Sequence, residues 1–140
     1  MPGRKLATDE KRSALMRRVR RKGTPVERFV ARLCRELGLG YRLNVPSLPG
    51  SPDLANKTKR WAIFVNGCFW HGHRNCALAT APKRNKEFWS RKFADNRARD
   101  ARKVVALRRL GFKVAIVWQC ETENRDALRL RLQNWAKRVS

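Results

Sequence analysis

The chain has 140 residues, 42 % of them hydrophobic with five Trp and six Phe, enough for one domain with a real core and too few for a multidomain machine. Lys and Arg number 34 against 11 Asp and Glu, a net charge of +23 that excludes an acidic cation buffer such as a Ca²⁺ cage. A surplus this large repels itself unless a polyanion neutralises it. That points to nucleic acid ahead of an anionic membrane, because no apolar run approaches the roughly 18 residues of a membrane-crossing helix.

Met1 to Lys22 carries nine basic residues and no apolar stretch of a signal peptide, so the chain is expected in the cytosol. Four cysteines in that compartment suggest metal or buried thiols rather than disulfides. Residues 1–23 read as a basic arm and residues 24–140 as one domain. The arm predicts a helix that starts after Thr8 and stops at Gly23, whose thin apolar content, Leu15, Met16 and Val19, sits among arginines suited to phosphates. A second helix opens at Thr24-Pro25-Val26-Glu27, a capping box with Pro at the first helical position. Val26, Phe29, Val30, Leu33 and Leu37 continue it at helical spacing to Gly38. Cys34 falls on its core side.

Tyr41 to Val45 alternates like a half-buried strand, and the Pro- and Gly-rich stretch from Pro46 to Pro52 must be irregular. Asp53 ends that loop where the chain enters a strand. Trp61 to Val65 is a continuous apolar run, the pattern of a strand covered on both faces, ended by Asn66-Gly67. A long helix is predicted from about Asn85 to Leu110, a buried strand from Phe112 to Trp118, and a last helix with Leu128, Leu132, Trp135 and Val139 on one face. This order predicts an α/β sandwich on a short mixed sheet flanked by helices.

Both histidines of the chain lie within Gly67 to Cys76. Cys68, His73 and Cys76 have the close spacing of a structural Zn²⁺ site that Cys120 could complete; the plain alternative is buried thiols. If His73 turns to the metal, His71 is available for proton transfer, unless it is itself an outer or alternative metal ligand. Asp53, after a proline-rigid entry, suits Mg²⁺, although most such Pro-Asp pairs are ordinary turns. Glu27 is explained as the partner of the Thr24 cap. Asn96 and Asp100 share a stripe with Phe93, Val104 and Leu107, so Asp100 needs partners: a neighbouring Arg or Lys by default, a metal-bound water as the sharper reading. Phe69-Trp70 reads equally as core or as a wedge between base pairs.

The segments Ser47 to Asp53, Gly67 to His73 and Val117 to Cys120 together closely resemble the very-short-patch-repair (Vsr) DNA mismatch endonucleases, a likeness running from about Thr8 to Trp135. The resemblance implies a restriction-endonuclease-like core and Mg²⁺-dependent nicking of one strand of duplex DNA beside the thymine of a T:G mismatch. It implies Asp53 and the Val65 carbonyl as Mg²⁺ ligands and His71 as the catalytic histidine. Glu27, Asn96 and Asp100 fall on positions that hold metal-bound waters or support the site. Cys68, His73, Cys76 and Cys120 become Zn²⁺ ligands, and Phe69, Trp70 and Met16 the wedge. A nucleoid-associated monomer with mismatch-repair proteins as candidate partners is expected. The strand after Asp53 departs from the restriction-nuclease pattern, offering neither a second carboxylate nor a lysine, and Asn66 stands where some members carry a histidine. The competing readings are a non-catalytic zinc module that binds nucleic acid and a nuclease of this fold without mismatch preference.

Overall fold

The computed structural model describes residues 23–79 and 83–139; the basic arm, Met16 included, lies outside the described residues. The elements follow as α1 (Pro25–Glu36), β1 (Arg42–Leu43), β2 (Leu54–Asn56), β3 (Trp61–Asn66), α2 (Lys86–Arg109), β4 (Lys113–Trp118) and α3 (Arg125–Val139). The four strands form one mixed sheet in the order β1-β2-β3-β4. β2 pairs antiparallel with both β1 and β3, while β3 and β4 run parallel from Trp61 opposite Lys113 to Asn66 opposite Trp118. A parallel pair needs a crossover, and α2 supplies it.

Strand alternation assigns each face its helices. Trp61 and Ile63 point to one side, where they meet Val30 and Leu33 of α1 and Leu128 and Leu132 of α3. Ala62 and Phe64 point to the other, against Val104 and Leu107 of α2. The result is three layers, with the apolar run of β3 covered on both faces as its composition predicts. Trp61 is fully buried and meets the Trp135 ring edge-on at 5.5 Å. Burial of each large apolar side chain contributes about 1.5–3 kcal/mol. Cys34 belongs to the first of these cores, where burial pushes its thiol up to about 12. α1 and α2 both end in Schellman caps: Leu39 N–H returns to the Cys34 carbonyl (2.9 Å) and Phe112 N–H to that of Leu107 (3.1 Å).

Two local expectations need correction. The strand predicted over 41–45 shrinks to Arg42–Leu43, with both residues exposed, because Asn44 turns to a φ of +50° and leaves strand geometry, although the Asn44 and Val45 amides still donate to the Asp53 and Pro52 carbonyls (2.9 and 3.1 Å). The capping box is half formed. Thr24 Oγ1 accepts from Glu27 N–H (3.2 Å), but the Glu27 carboxylate returns to Gly23 N–H (3.0 Å), one residue before the cap.

Candidate active site and metal centre

A cleft of about 370 Å³ opens where β3 and β4 end, the edge at which open α/β sheets bind ligands. Its walls come from the start of α1 with Glu27, the loop before β2 with Gly50, Ser51 and Asp53, the end of β3 with Val65 to Gly67, the following loop with His71, α2 with Asp100 and Lys103, and Gln119 just after β4. Among the described residues of this strongly basic chain, three carboxylates converge here, Glu27, Asp53 and Asp100. An acidic hollow in a cationic surface suits a divalent cation held between protein and phosphate.

Asp53 is held from two directions. The buried Pro52 fixes its entry, and its Oδ2 accepts the Val65 amide proton at 2.6 Å. In an extended strand the N–H and C=O of one residue project to the same side, so the Val65 carbonyl faces the Asp53 side of β3 as its amide does. Glu27 is 7 % exposed. Burial raises its carboxyl above the usual 4.5, and hydrogen bonds from Gly23 and Thr24 pull it part of the way back.

The Gly67 to Cys76 loop is fastened to α2 at three successive residues. Asn96 Nδ2 donates to the Trp70 carbonyl (2.7 Å), Asp100 Oδ2 pairs with His71 Nδ1, and Arg97 Nη1 donates to the Gly72 carbonyl (3.1 Å). One helical face therefore sets the orientation of the loop. The approach is close enough to require glycine: a Cβ on Gly72 (φ +59°) would lie 2.6 Å from Phe93 Cβ and 2.7 Å from Arg97 Nη1. Phe69 adds an apolar fastening against Trp89 and Phe93, with ring centroids at 5.2 and 5.4 Å. His71 is 3 % exposed and lines the cleft. An ionised carboxylate only accepts, so the pair with Asp100 places the His71 proton on Nδ1 and makes Nε2 the nitrogen that can take another.

Within this loop and just after β4, ligand atoms of Cys68, His73, Cys76 and Cys120 all lie within 4.8 Å of one another. Cys120 Sγ and His73 Nδ1 are 3.5 Å apart. Zinc bonds of about 2.3 Å to sulfur and 2.0–2.1 Å to nitrogen give a tetrahedral S–N edge of about 3.5 Å, so the four could hold a metal, with Nδ1 as the His73 donor. The ring is set by stacking flat on Trp118 at 4.0 Å. Cys120 N–H also points to Cys68 Sγ (3.3 Å), and Gln119 Oε1 accepts from Cys68 N–H (3.3 Å). Burial pushes the Cys68 thiol up to about 12, opposed by the hydrogen bond from the Cys120 backbone N–H and reinforced by the Cys120 and Cys76 side chains. A thiol so disposed is a poor nucleophile and ligates only by giving its proton up to an incoming metal.

The structure thus brings Asp53, Val65, Glu27, His71 and Asp100 to one cleft and the four Cys/His residues to an adjoining cluster. Asn96 lies outside the cleft wall and acts on the loop backbone instead. Phe69 and Trp70 are 8 % and 5 % exposed, inside the protein rather than at its surface. The sequence offers Lys103 only as one of the neighbouring cations that could pair with Asp100, and gives Gln119 no role of its own. Lys103 is three residues from Asp100, a spacing that reads as a solvated ion pair, and nothing local in Gln119 tells of the Cys68 amide 51 residues away.

A family-wide sequence profile described as "DNA mismatch endonuclease Vsr" matches residues 5–78. The chain is 46 % identical over 125 residues to the type II nicking enzyme V.XorIIP of Xanthomonas oryzae pv. oryzae, covering 89 % of this chain and 91 % of that one. It is 40 % identical over 129 residues to the DNA mismatch endonuclease Vsr of Escherichia coli K12, covering 89 % and 82 %. With the type II nicking enzyme V.NmeAIP of Neisseria meningitidis serogroup A it shares 35 % over 132 residues, 94 % of each chain.

Proposed function

The chain belongs to the DNA mismatch endonuclease Vsr family, and on that premise we propose that it hydrolyses one strand of duplex DNA beside the thymine of a T:G mismatch in a Mg²⁺-dependent reaction. The observation that carries this reading is the shared cleft. Asp53, tied to the β3 backbone, and His71, tied to Asp100, border one hollow at the ends of the parallel strands. A restriction-endonuclease-like core is assigned on the same basis, a mixed four-stranded sheet between helical layers.

The donor set fits Mg²⁺, a hard ion that takes one or two carboxylates and keeps its waters. Asp53 and the Val65 carbonyl would hold it, with Glu27 and Asp100 placed to accept from metal-bound waters. When bound, such an ion lowers the pKa of a water and offsets charge building on the phosphate. His71 does the proton work: Asp100 fixes the tautomer, and Nε2 orients the attacking water or takes its proton. The adjoining Cys68, His73, Cys76 and Cys120 cluster, assigned to Zn²⁺, closes the base of the loop and keeps His71 in register with α2. Phe69 and Trp70, with Met16 of the arm, are assigned as the wedge at the mismatch. Engagement then requires Phe69 to leave Trp89 and Phe93, and Trp70 to leave the Lys92 ammonium 5.2 Å from its ring centre.

The test is a nicking assay on T:G and T:A duplexes with and without Mg²⁺, run beside Asp53→Ala. The expected result is Mg²⁺-dependent cutting of the T:G duplex by the native chain, and binding without cutting by the variant. Full activity of Asp53→Ala refutes the site. Equal cutting of both duplexes refutes the mismatch preference, and binding with no cutting by the native chain leaves a nucleic-acid-binding module.

A further inference from the structure

The cleft has a cation of its own. Glu27, Asp53 and Asp100 make it a repulsive place for a phosphodiester, and among the described residues lining it Lys103 is the one Lys or Arg. Its stem runs beneath the loop before β2, so closely that a Cβ on Gly50 (φ +75°) would lie 2.6, 2.7 and 2.8 Å from its Cγ, Cδ and Cβ. Chain residues 50 and 103 meet there only because one is glycine. At the far end, Nζ lies 3.8 Å from Asp100 Oδ1, beyond a direct hydrogen bond, and the side chain keeps 27 % of its exposure. The stem is therefore fixed while the ammonium keeps hydrogen-bonding capacity at the cleft.

We propose that Lys103 binds a phosphate of the DNA strand seated in this cleft, drawing the anion between its ammonium and the Asp53 wall. The proposal rests on the nuclease reading for its substrate. An ammonium aimed from a helix at a fixed point supplies the attraction that the three carboxylates withhold, and stands ready for charge that grows on the phosphate oxygens during attack.

The experiment compares the native chain, Lys103→Met and Lys103→Arg in single-turnover nicking of a T:G duplex, and in binding of the same duplex over a salt series without divalent ions. Met keeps the stem that packs on Gly50, and a melting curve verifies the fold. Lys103→Met is expected to slow nicking by about 10–100-fold, toward the lower end of what the loss of one transition-state donor costs. It should also flatten the slope of log K against log salt by about 0.9, the signature of one phosphate contact. Lys103→Arg should recover most of both. A Met variant with native slope overturns the proposal, whether or not its rate falls, because a slower enzyme with all its phosphate contacts marks a structural role. Should the native chain not nick at all, the nuclease reading fails, and the slope alone then decides whether Lys103 contacts DNA.

Discussion

His71 Nδ1 meets the Asp100 carboxylate across the junction of the Gly67 to Cys76 loop and α2, with Lys103 on the opposite carboxylate oxygen. The pair fixes which nitrogen of the ring carries the proton. Asp100→Asn keeps the shape but can donate where the carboxylate only accepts, which allows the other tautomer. The nicking rate should fall on the order of 10²–10⁴-fold with duplex affinity nearly unchanged. Single-turnover kinetics beside a binding titration check this, and an equal loss in both would mean that Asp100 merely holds the fold.

Gly72 carries the closest approach between loop and helix. Gly72→Ala adds a methyl 2.6 Å from Phe93 Cβ at a positive φ. Strain and overpacking together should cost about 2–4 kcal/mol, a Tm lower by roughly 5–15 °C in calorimetry. A Tm within a degree of native would show that the loop yields there.

Glu27 sets a pH dependence of stability. Because burial raises its folded-state pKa, the folded chain holds this proton more tightly than the unfolded chain does. Its contribution is complete below the unfolded value of about 4.5 and is lost as pH rises through the raised value. Glu27→Gln still offers an acceptor to Gly23 N–H and lacks that loss. The stability difference, variant minus native, measured by denaturant titration of metal-free protein, should grow upward from about pH 4.5. A difference independent of pH would contradict the shift.

The Cys/His cluster predicts one zinc per chain by elemental analysis. Cys120→Ser, or a chelator strong enough to strip the ion, should lower Tm and abolish nicking together, since His71 hangs on the same loop. Activity that survives complete zinc removal would separate the cluster from the catalytic wall.

Much of the fold and of the site is legible in the sequence, for physical reasons. Thr24-Pro25 and the glycines at 38 and 111 bracket helices because capping is local, and the run from Trp61 to Val65 reads as doubly covered because every residue in it is apolar. Asp53, His71 and the metal cluster stood out because Pro, His and Cys are scarce and chemically specific. The lysine in the cleft, the glutamine under Cys68 and the true partner of the Glu27 carboxylate did not, since each depends on an approach that neither periodicity nor spacing encodes. The alternation of Tyr41 to Val45 carries no sign of the left-handed turn at Asn44.

Cys68 follows β3 and Cys120 follows β4, with the entire crossover between them, 52 positions apart along the chain. An ion shared by both would act as a staple across two strands that cannot align until α2 has folded back. By the loop-closure entropy of a covalent cross-link, a ring of that size removes about 4 kcal/mol of denatured-state freedom. Loading the ion early would therefore hasten assembly, and a chain starved of it would emerge from synthesis slow to register and prone to stick to its neighbours.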